Sequence, residues 1–141
     1  MSVYVICVGK LKEKCYLAAA AEYAKRLGSY CRLQMVELPE ERLPATPSDA
    51  QIRAALAREA QAIRAKLPPS ASLVALCVEG KEHSSEAFAG LLSAWAQSPA
   101  KHLVFLIGGS YGLDEGLKRE AWLRLSMSPM TFPHHLARVM L

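Results

Sequence analysis

Residues 102–113 read HLVFLIGGSYGL, an apolar run that ends in a glycine-rich turn. The run at 102–107 has no polar alternation, which predicts a β-strand buried on both faces. Glycines directly after a strand let the backbone approach a ligand, because no Cβ stands in the way. We therefore predict a strand followed by a ligand-facing turn.

The glycine spacing does not fit the common nucleotide-binding motifs. A dinucleotide site needs GxGxxG after the first strand, whereas here Gly9 stands alone and GGxxG follows a later strand. A P-loop needs GxxxxGK followed by Ser or Thr, and GGSYG lacks the GxSxG frame of a hydrolase. A Rossmann-like oxidoreductase that binds NAD is therefore a remote alternative.

Strand-like and helix-like segments alternate along the whole chain. Because parallel strands need crossover connections, this order predicts one α/β domain with a mostly parallel sheet and helices on both faces. Serines that can cap helices mark two of the helix starts. We predict strands at 3–8, 32–38, 72–78, 102–107 and 122–127, and helices at 14–27, from Ser48 to Pro68, from Ser84 or Ser85, at 114–121 and from 134.

The composition indicates a folded domain with a mild basic bias. The chain has 141 residues, 52% of them hydrophobic, and a net charge of +4. This charge permits an anionic partner such as RNA without requiring one, and Lys10, Lys12 and Lys14 are either phosphate contacts or solvated charges. No apolar run approaches the roughly 18 residues of a membrane span. We expect a cytoplasmic protein with no membrane contact.

The cysteines indicate neither a metal site nor a disulfide set. Cys7, Cys15, Cys31 and Cys77 form no CxxC pair, and none lies near a histidine at zinc spacing. We expect buried, reduced thiols and no bound metal.

Three strand ends are predicted to share one pocket. Ligands of parallel sheets bind beyond the carboxyl ends of the strands. Gly80, the glycines Gly108, Gly109 and Gly112, and the segment 128–132 all follow such ends. The sequence therefore places a ligand site at this edge of the sheet.

Four segments together resemble one protein family. They are VGKLKEK at 8–14, EYAKRL at 22–27, LIGGSYGL at 106–113 and SMSPMTFPHHLARVML at 126–141. The sequence is similar to the bacterial RlmH proteins, which are ribosomal RNA large-subunit pseudouridine N3-methyltransferases of the SPOUT class. The resemblance covers the whole chain, and IGGxxG and MTFPHxLxRV are its most specific parts.

The resemblance implies a fold, a cofactor and partners. The fold would be a single SPOUT-type methyltransferase domain over residues 1–141, with a C-terminal trefoil knot that generic topology rules would not predict. The enzyme would be a homodimer that uses S-adenosylmethionine (SAM) to methylate N3 of a pseudouridine of 23S ribosomal RNA in the assembled ribosome. SAM carries no phosphate, so the glycine turn needs no phosphate cradle. The implied SAM-binding residues are Leu76, Gly108, Gly109, Met127, Ser128, Pro129, Met130, Thr131 and Phe132.

By the same resemblance, His134 and Arg138 form the catalytic pair. Arg138 lies one helical turn beyond His134 on the same face. Pseudouridine N3 becomes nucleophilic only as its proton leaves, so a base or an anion-stabilising group helps. We expect His134 to position the base or move the proton, and Arg138 to contact an RNA phosphate or the developing charge. The alternative is that His134 caps the helix and Arg138 is a solvated charge. His135 is expected to be a structural or a surface residue.

The sequence departs from the family at its C-terminus. It ends at Leu141 inside an apolar run, whereas the family continues through that helix into a tail with a Tyr-His pair. The resemblance thus implies that the family's C-terminal helix end and tail are lacking. The alternative to an active enzyme is a catalytically impaired SAM- or ribosome-binding module that keeps the fold.

Overall fold

A computed structural model describes residues 1–141 as five strands and five helices in strict alternation. This order confirms the predicted α/β class. The strands are β1 (Ser2–Val8), β2 (Arg32–Leu38), β3 (Ala71–Glu82), β4 (His102–Ile107) and β5 (Leu123–Ser126). The helices are α1 (Lys14–Leu27), α2 (Asp49–Arg64), α3 (Ser85–Ala96), α4 (Glu115–Glu120) and α5 (His134–Met140).

The five strands form one sheet in the order β2-β1-β4-β3-β5, and every neighbouring pair is parallel. In register, Ser2 lies opposite both Arg32 and His102, so β1 is a central strand. The carboxyl ends of all five strands therefore meet at one edge, as the sequence predicts.

Two apolar clusters cover the two faces of the sheet. Helices α2 and α4 pack on one face, where Ile63 and Leu117 are almost completely buried. Helix α3 covers part of the other face through Phe88, Leu92 and Trp95. None of the five helices combines the length and apolarity needed to cross a membrane.

The predicted helix starts are confirmed by capping contacts. The backbone amide of Gln51 donates to Ser48 Oγ at 3.2 Å, and Gln51 Oε1 accepts from the Ser48 amide at 2.9 Å. The Ala87 amide donates to Ser84 Oγ at 3.2 Å, so Ser84 and not Ser85 is the capping residue. These contacts satisfy backbone donors that the first turn of a helix leaves free.

Strand β3 is longer than the predicted 72–78, and this extension shapes the candidate site. The ladder between β3 and β5 shifts register between Leu76 and Lys81, so residues 77–80 bulge out before pairing resumes. Gly80 allows the bulge, because a Cβ there would lie 2.7 Å from the Arg124 carbonyl oxygen. Glu79 and Gly80, which end the apolar pattern, belong to this bulge.

The predictions for β5 (122–127) and α4 (114–121) are each a residue too long at both ends. The buried-thiol prediction holds only for Cys7, since Cys15 is exposed on α1 and Cys31 and Cys77 are half-buried. All four thiols are free.

Helix α1 leaves its apolar face uncovered within this chain. The spacing of Leu17 and Leu27 predicts an apolar face, yet no residue of α1 is buried. Leu17, Tyr23 and Leu27 are 46%, 49% and 39% exposed. Tyr23 and Leu27 border an apolar groove of about 700 Å³ between α1, α3 and α5.

The last helix packs mainly on elements other than the strand that precedes it. Strand β5 is at one edge of the sheet, whereas α5 packs on α1 and β4. The chain between them therefore passes over the carboxyl edge of the sheet. The trefoil knot implied by the resemblance stays a prediction.

Candidate active site

A cavity of about 590 Å³ opens at the carboxyl ends of β3, β4 and β5. Three segments form its walls: the β3 bulge, the glycine turn and the loop between β5 and α5. Pockets for small molecules span roughly 300–1,000 Å³, so this one can hold a nucleoside-sized ligand. Of the nine predicted SAM-binding residues, eight line the cavity and Pro129 does not; the eight are Leu76, Gly108, Gly109, Met127, Ser128, Met130, Thr131 and Phe132.

The glycine turn is held tightly against itself. The Gly112 amide donates to the Gly109 carbonyl at 3.1 Å, and the two glycines form an antiparallel bridge. Gly112 has a φ of +78°, and a Cβ at Gly108 would overlap the Gly112 carbonyl group. Both positions therefore require glycine, one for its backbone conformation and one for close approach.

The loop after β5 is fixed by its own serines. The hydroxyl of Ser126 donates to the Ser128 carbonyl oxygen at 3.0 Å, and Ser128 Oγ accepts from the Met130 amide at 3.0 Å. Ser126 itself is buried. The loop thus presents its backbone to the cavity in a fixed form, which suits recognition of a flat, polar ring edge.

An ion cluster forms a further part of the cavity wall. Lys118 lines the cavity and donates to Glu79 at 2.6 Å and to Glu115 at 2.9 Å. Burial would lower the pKa of Lys118, but hydrogen bonds to the two carboxylates outweigh it and the pKa is raised. The hydrogen bond from Lys118 in turn lowers the pKa of Glu79. With two carboxylates beside one ammonium group, this wall carries no surplus of positive charge.

His134 stands at the rim of the cavity, as the first residue of α5. Its Nε2 atom lies 3.4 Å from where a Cβ of Gly9 would be, so the missing side chain makes room for the ring. Burial lowers the pKa of His134, and the nearby charges of His135 and Arg138 lower it further, against the opposing effects of Glu40 and Glu13. The imidazole is therefore neutral at pH 7 and able to accept a proton.

Arg138 does not line the cavity and is 8% exposed. Its Nη1 donates to Glu37 Oε2 at 2.6 Å, and its Nη2 donates to the Gly9 carbonyl at 3.1 Å. Burial would raise the pKa of Glu37, but hydrogen bonds from Arg138 and the Leu11 amide outweigh it and the pKa is lowered. A solvated Arg138 is thus ruled out. His134 is not the capping residue either, because Pro133 occupies the N-cap position of α5.

His135 packs against His134 and reaches a different partner. The two imidazole centroids are 4.2 Å apart at an interplanar angle of 66°. His135 Nδ1 lies 3.1 Å from Glu13 Oε2, at the start of α1. Of the two alternatives predicted for His135, structural or surface, this contact favours the structural one.

Sequence reasoning missed part of the lining. Cys77, Glu79 and Lys118 face the cavity, the first two because of the β3 bulge. It also missed Glu40, which binds the glycine turn from the loop after β2. The charged residues Glu79 and Lys81 directly after an apolar strand were the available signal for Glu79. No local pattern in the sequence marks Glu40 or Lys118. No group of three or more His, Cys, Asp or Glu side chains is arranged to hold a metal ion.

The family model described as "Predicted SPOUT methyltransferase" matches residues 1–141, the whole chain. Together with the all-parallel sheet and the cavity at its carboxyl edge, this match defines the class of protein as a SPOUT methyltransferase, an enzyme.

Curated relatives refine this class. Proteins named ribosomal RNA large subunit methyltransferase H are 42% identical in Exiguobacterium sibiricum, 40% in Listeria monocytogenes and 41% in Leuconostoc mesenteroides. Each similarity spans 141 residues, which is 100% of this chain and 89% of the relative. The chain belongs to the RlmH family of SPOUT methyltransferases, as its motifs predict.

Proposed function

We propose that this chain transfers a methyl group from SAM to N3 of a pseudouridine in 23S ribosomal RNA, acting in the cytoplasm on the assembled ribosome. Family membership and the names of its relatives support the reaction and the large-subunit RNA as substrate. The observation that carries the proposal is the 590 Å³ cavity, in which the glycine turn, the loop at 127–132 and His134 face one another.

The residues that line the cavity fit SAM. Gly108 and Gly109 present their backbone to the cavity in a turn held by Gly112 and Glu40, and Leu76 offers an apolar surface to the adenine ring. The loop at 127–132 presents peptide groups to the adenine edge. The carboxylates of Glu79 and Glu115 balance the positive charge of Lys118, so the cavity suits a cationic ligand without phosphates. When bound, SAM supplies a methyl group on a positively charged sulfur.

His134 is the proposed proton acceptor. Pseudouridine N3 is a weak imide acid, and its lone pair attacks only as the N3 proton leaves. The neutral imidazole at the cavity rim takes this proton, and bound SAM would supply the methyl group that N3 attacks. Packing against Gly9 and His135 fixes the orientation of the ring.

Exposed lysines beside the cavity support binding of RNA. Lys10 and Lys12 follow the carboxyl end of β1, next to Gly9 and therefore close to His134. Their charges are the candidates for phosphate contacts. The net charge of +4 agrees with an anionic partner.

A second copy of the chain is the proposed occupant of the apolar groove at α1. The groove is lined by 18 hydrophobic residues out of 20, and Tyr23 and Leu27 are exposed beside it. An apolar surface of this kind is typical of a protein interface. In sedimentation, Leu27→Glu should shift the chain to a monomer. Trp122→Glu, at an exposed residue outside the groove, should leave the dimer intact.

The decisive experiment uses radiolabelled SAM and ribosomes that lack the modification. We expect methyl incorporation into 23S RNA by the chain, and loss of incorporation in His134→Asn with SAM binding retained. Binding of SAM without any incorporation would instead identify a catalytically impaired binding module. Absence of SAM binding by calorimetry would refute the proposed function altogether.

A further inference from the structure

Helix α5 is fastened to the loop between β1 and α1 by partly buried hydrogen bonds. Glu37 Oε2 accepts two hydrogen bonds, from Arg138 Nη1 at 2.6 Å and from the Leu11 amide at 2.7 Å. Arg138 Nη2 donates to the Gly9 carbonyl at 3.1 Å. One carboxylate and one guanidinium thus join three segments: the end of β2, the loop at 9–13 and α5.

This geometry turns the guanidinium of Arg138 away from a nucleic acid. Its side chain is 4% exposed, and two of its three nitrogens already bond a carboxylate and a carbonyl. Contact with an RNA phosphate would require breaking the pair with Glu37 and moving a side chain that is 4% exposed out to the surface. The pair therefore acts inside the protein.

What the pair holds in place is the imidazole of His134. Arg138 lies one helical turn after His134, and its partner Gly9 is the residue against which the His134 ring packs. The left-handed backbone of Gly9, with a φ of +99°, is fixed on its other side by a 2.7 Å bond from its amide to the Leu38 carbonyl. Arg138 thus links α5, which carries the His134 ring, to Gly9, against which the ring packs.

We propose that Arg138 and Glu37 are positioning residues, which clamp α5 against the loop at 9–13 and so hold His134 at the cavity rim. This inference rests on the proposed function for the role of His134. It replaces the expected contact of Arg138 with an RNA phosphate. Glu37, which no sequence motif singles out, becomes necessary for the reaction.

The first test measures the pKa of His134 by NMR titration of the full chain, which requires neither RNA nor methyl transfer. Removing the Glu37 carboxylate takes away a negative charge, and electrostatics alone would then lower the pKa of His134. If the His134 ring is no longer held in place and becomes exposed to water, its pKa instead rises toward the ordinary value of about 6.5.

The expected result is a rise of this pKa in Glu37→Met and a smaller rise in Glu37→Gln. The amide oxygen of Gln can still accept one of the two hydrogen bonds, and its equal size keeps this variant folded if the Met variant is not. A fall or an unchanged pKa in the folded variants would overturn the proposal.

The second test separates positioning from phosphate binding. For Arg138→Met we expect kcat to fall about 100-fold, the cost of a displacement of about 1 Å. The KM for ribosomes and the salt dependence of ribosome binding should stay unchanged. In the exposed control Lys12→Gln, the slope of log affinity against log salt should fall by about one. A similar fall in Arg138→Met would show a phosphate contact and overturn the proposal.

The two tests also distinguish failure of the proposed function. If the wild-type chain binds SAM but never methylates RNA, the reaction assigned to the site is wrong. A rise in the pKa of His134 on removing Glu37 would still support the clamp. An unchanged pKa would overturn it independently.

Discussion

Glu40 Oε1 accepts a hydrogen bond of 2.6 Å from the backbone amide of Ser110, a residue 70 positions later in the chain. Glu40 belongs to the loop after β2, and Ser110 to the glycine turn after β4, two strands that are not neighbours in the sheet. The bond therefore spans the end of β1. It makes the glycine turn part of a larger frame at the carboxyl edge.

Replacing Glu40 should loosen this turn and weaken cofactor binding. A hydrogen bond to a charged group contributes about 1.5–3 kcal/mol, so we expect SAM affinity to fall about tenfold or more in Glu40→Ala. Isothermal calorimetry measures this change. The matched control is Glu41→Ala, which removes only a surface pair with Arg58 and should bind SAM like the wild type. Equal losses in both variants would contradict a specific role of Glu40.

Gly108 should tolerate no side chain. A Cβ at this position overlaps the Gly112 carbonyl group, which is backbone and cannot rotate away. We expect Gly108→Ala to open the turn, abolish SAM binding in calorimetry and lower the melting temperature. Gly90→Ala is the control, because no atom lies within 4 Å of the added Cβ and alanine favours the helix by up to about 1 kcal/mol. Tight SAM binding by Gly108→Ala would show that the turn does not receive the cofactor.

The fold was predictable wherever the signal was local. The capping box of Ser48 with Gln51 marks the start of α2, and the apolar run at 102–107 marks β4. The alternation of strands and helices along the chain then predicts the parallel sheet. The extension of β3 was not predictable, because it depends on renewed pairing with β5 beyond a bulge. A bulge interrupts the two-residue alternation of a strand, so the sequence of that strand alone does not show that pairing resumes beyond the bulge.

Part of the candidate site was predictable from local sequence signals, and part was not. The glycine turn and the loop at 127–132 follow strand ends, so a parallel sheet is enough to bring them together. The pairing of Glu37 with Arg138 joins residues 101 positions apart, and no local pattern marks it. Glu37 lies between Val36 and Leu38 in β2, where its charge has no evident partner until α5 is placed.

Glu59 should make the stability of the chain depend on pH. This residue is 8% exposed on α2, and its Oε2 atom has no partner. Burial raises the pKa of Glu59 to about 7, with the charges of Glu40 and Glu41 adding to the effect. Since the folded pKa exceeds the unfolded value, the stabilisation is complete below about pH 4.5 and is lost as pH rises through 7.

The variant Glu59→Gln imitates the protonated form at every pH. It should match the wild type near pH 4.5 and exceed its free energy of unfolding by roughly 3 kcal/mol above pH 8, as a shift of this size implies. Urea unfolding at both pH values measures the difference. Glu82→Gln, at an exposed residue of β3, is the control for removing one surface charge. A Glu59→Gln variant with a constant difference from the wild type would contradict the raised pKa.

Methyl transfer should keep its rate at a pH where an ordinary histidine is already protonated. Burial lowers the pKa of His134, and His135 and Arg138 add to this effect, so the neutral base persists below pH 6.5. We expect kcat/KM to fall only at lower pH and to form a plateau above it. Replacement of His135 by Gln removes a positive neighbour, so this loss of activity should begin at higher pH.

In His134→Asn the plateau itself should disappear. Without the internal base, the rate should be about 100-fold lower near pH 7 and should keep rising with pH, because N3 must then lose its proton to solvent. Single-turnover methylation of ribosomes across the pH range distinguishes these profiles from a simple loss of binding. A variant that retains the wild-type plateau would show that His134 moves no proton, and the anion would then have to be stabilised by backbone or lysine donors at the same rim.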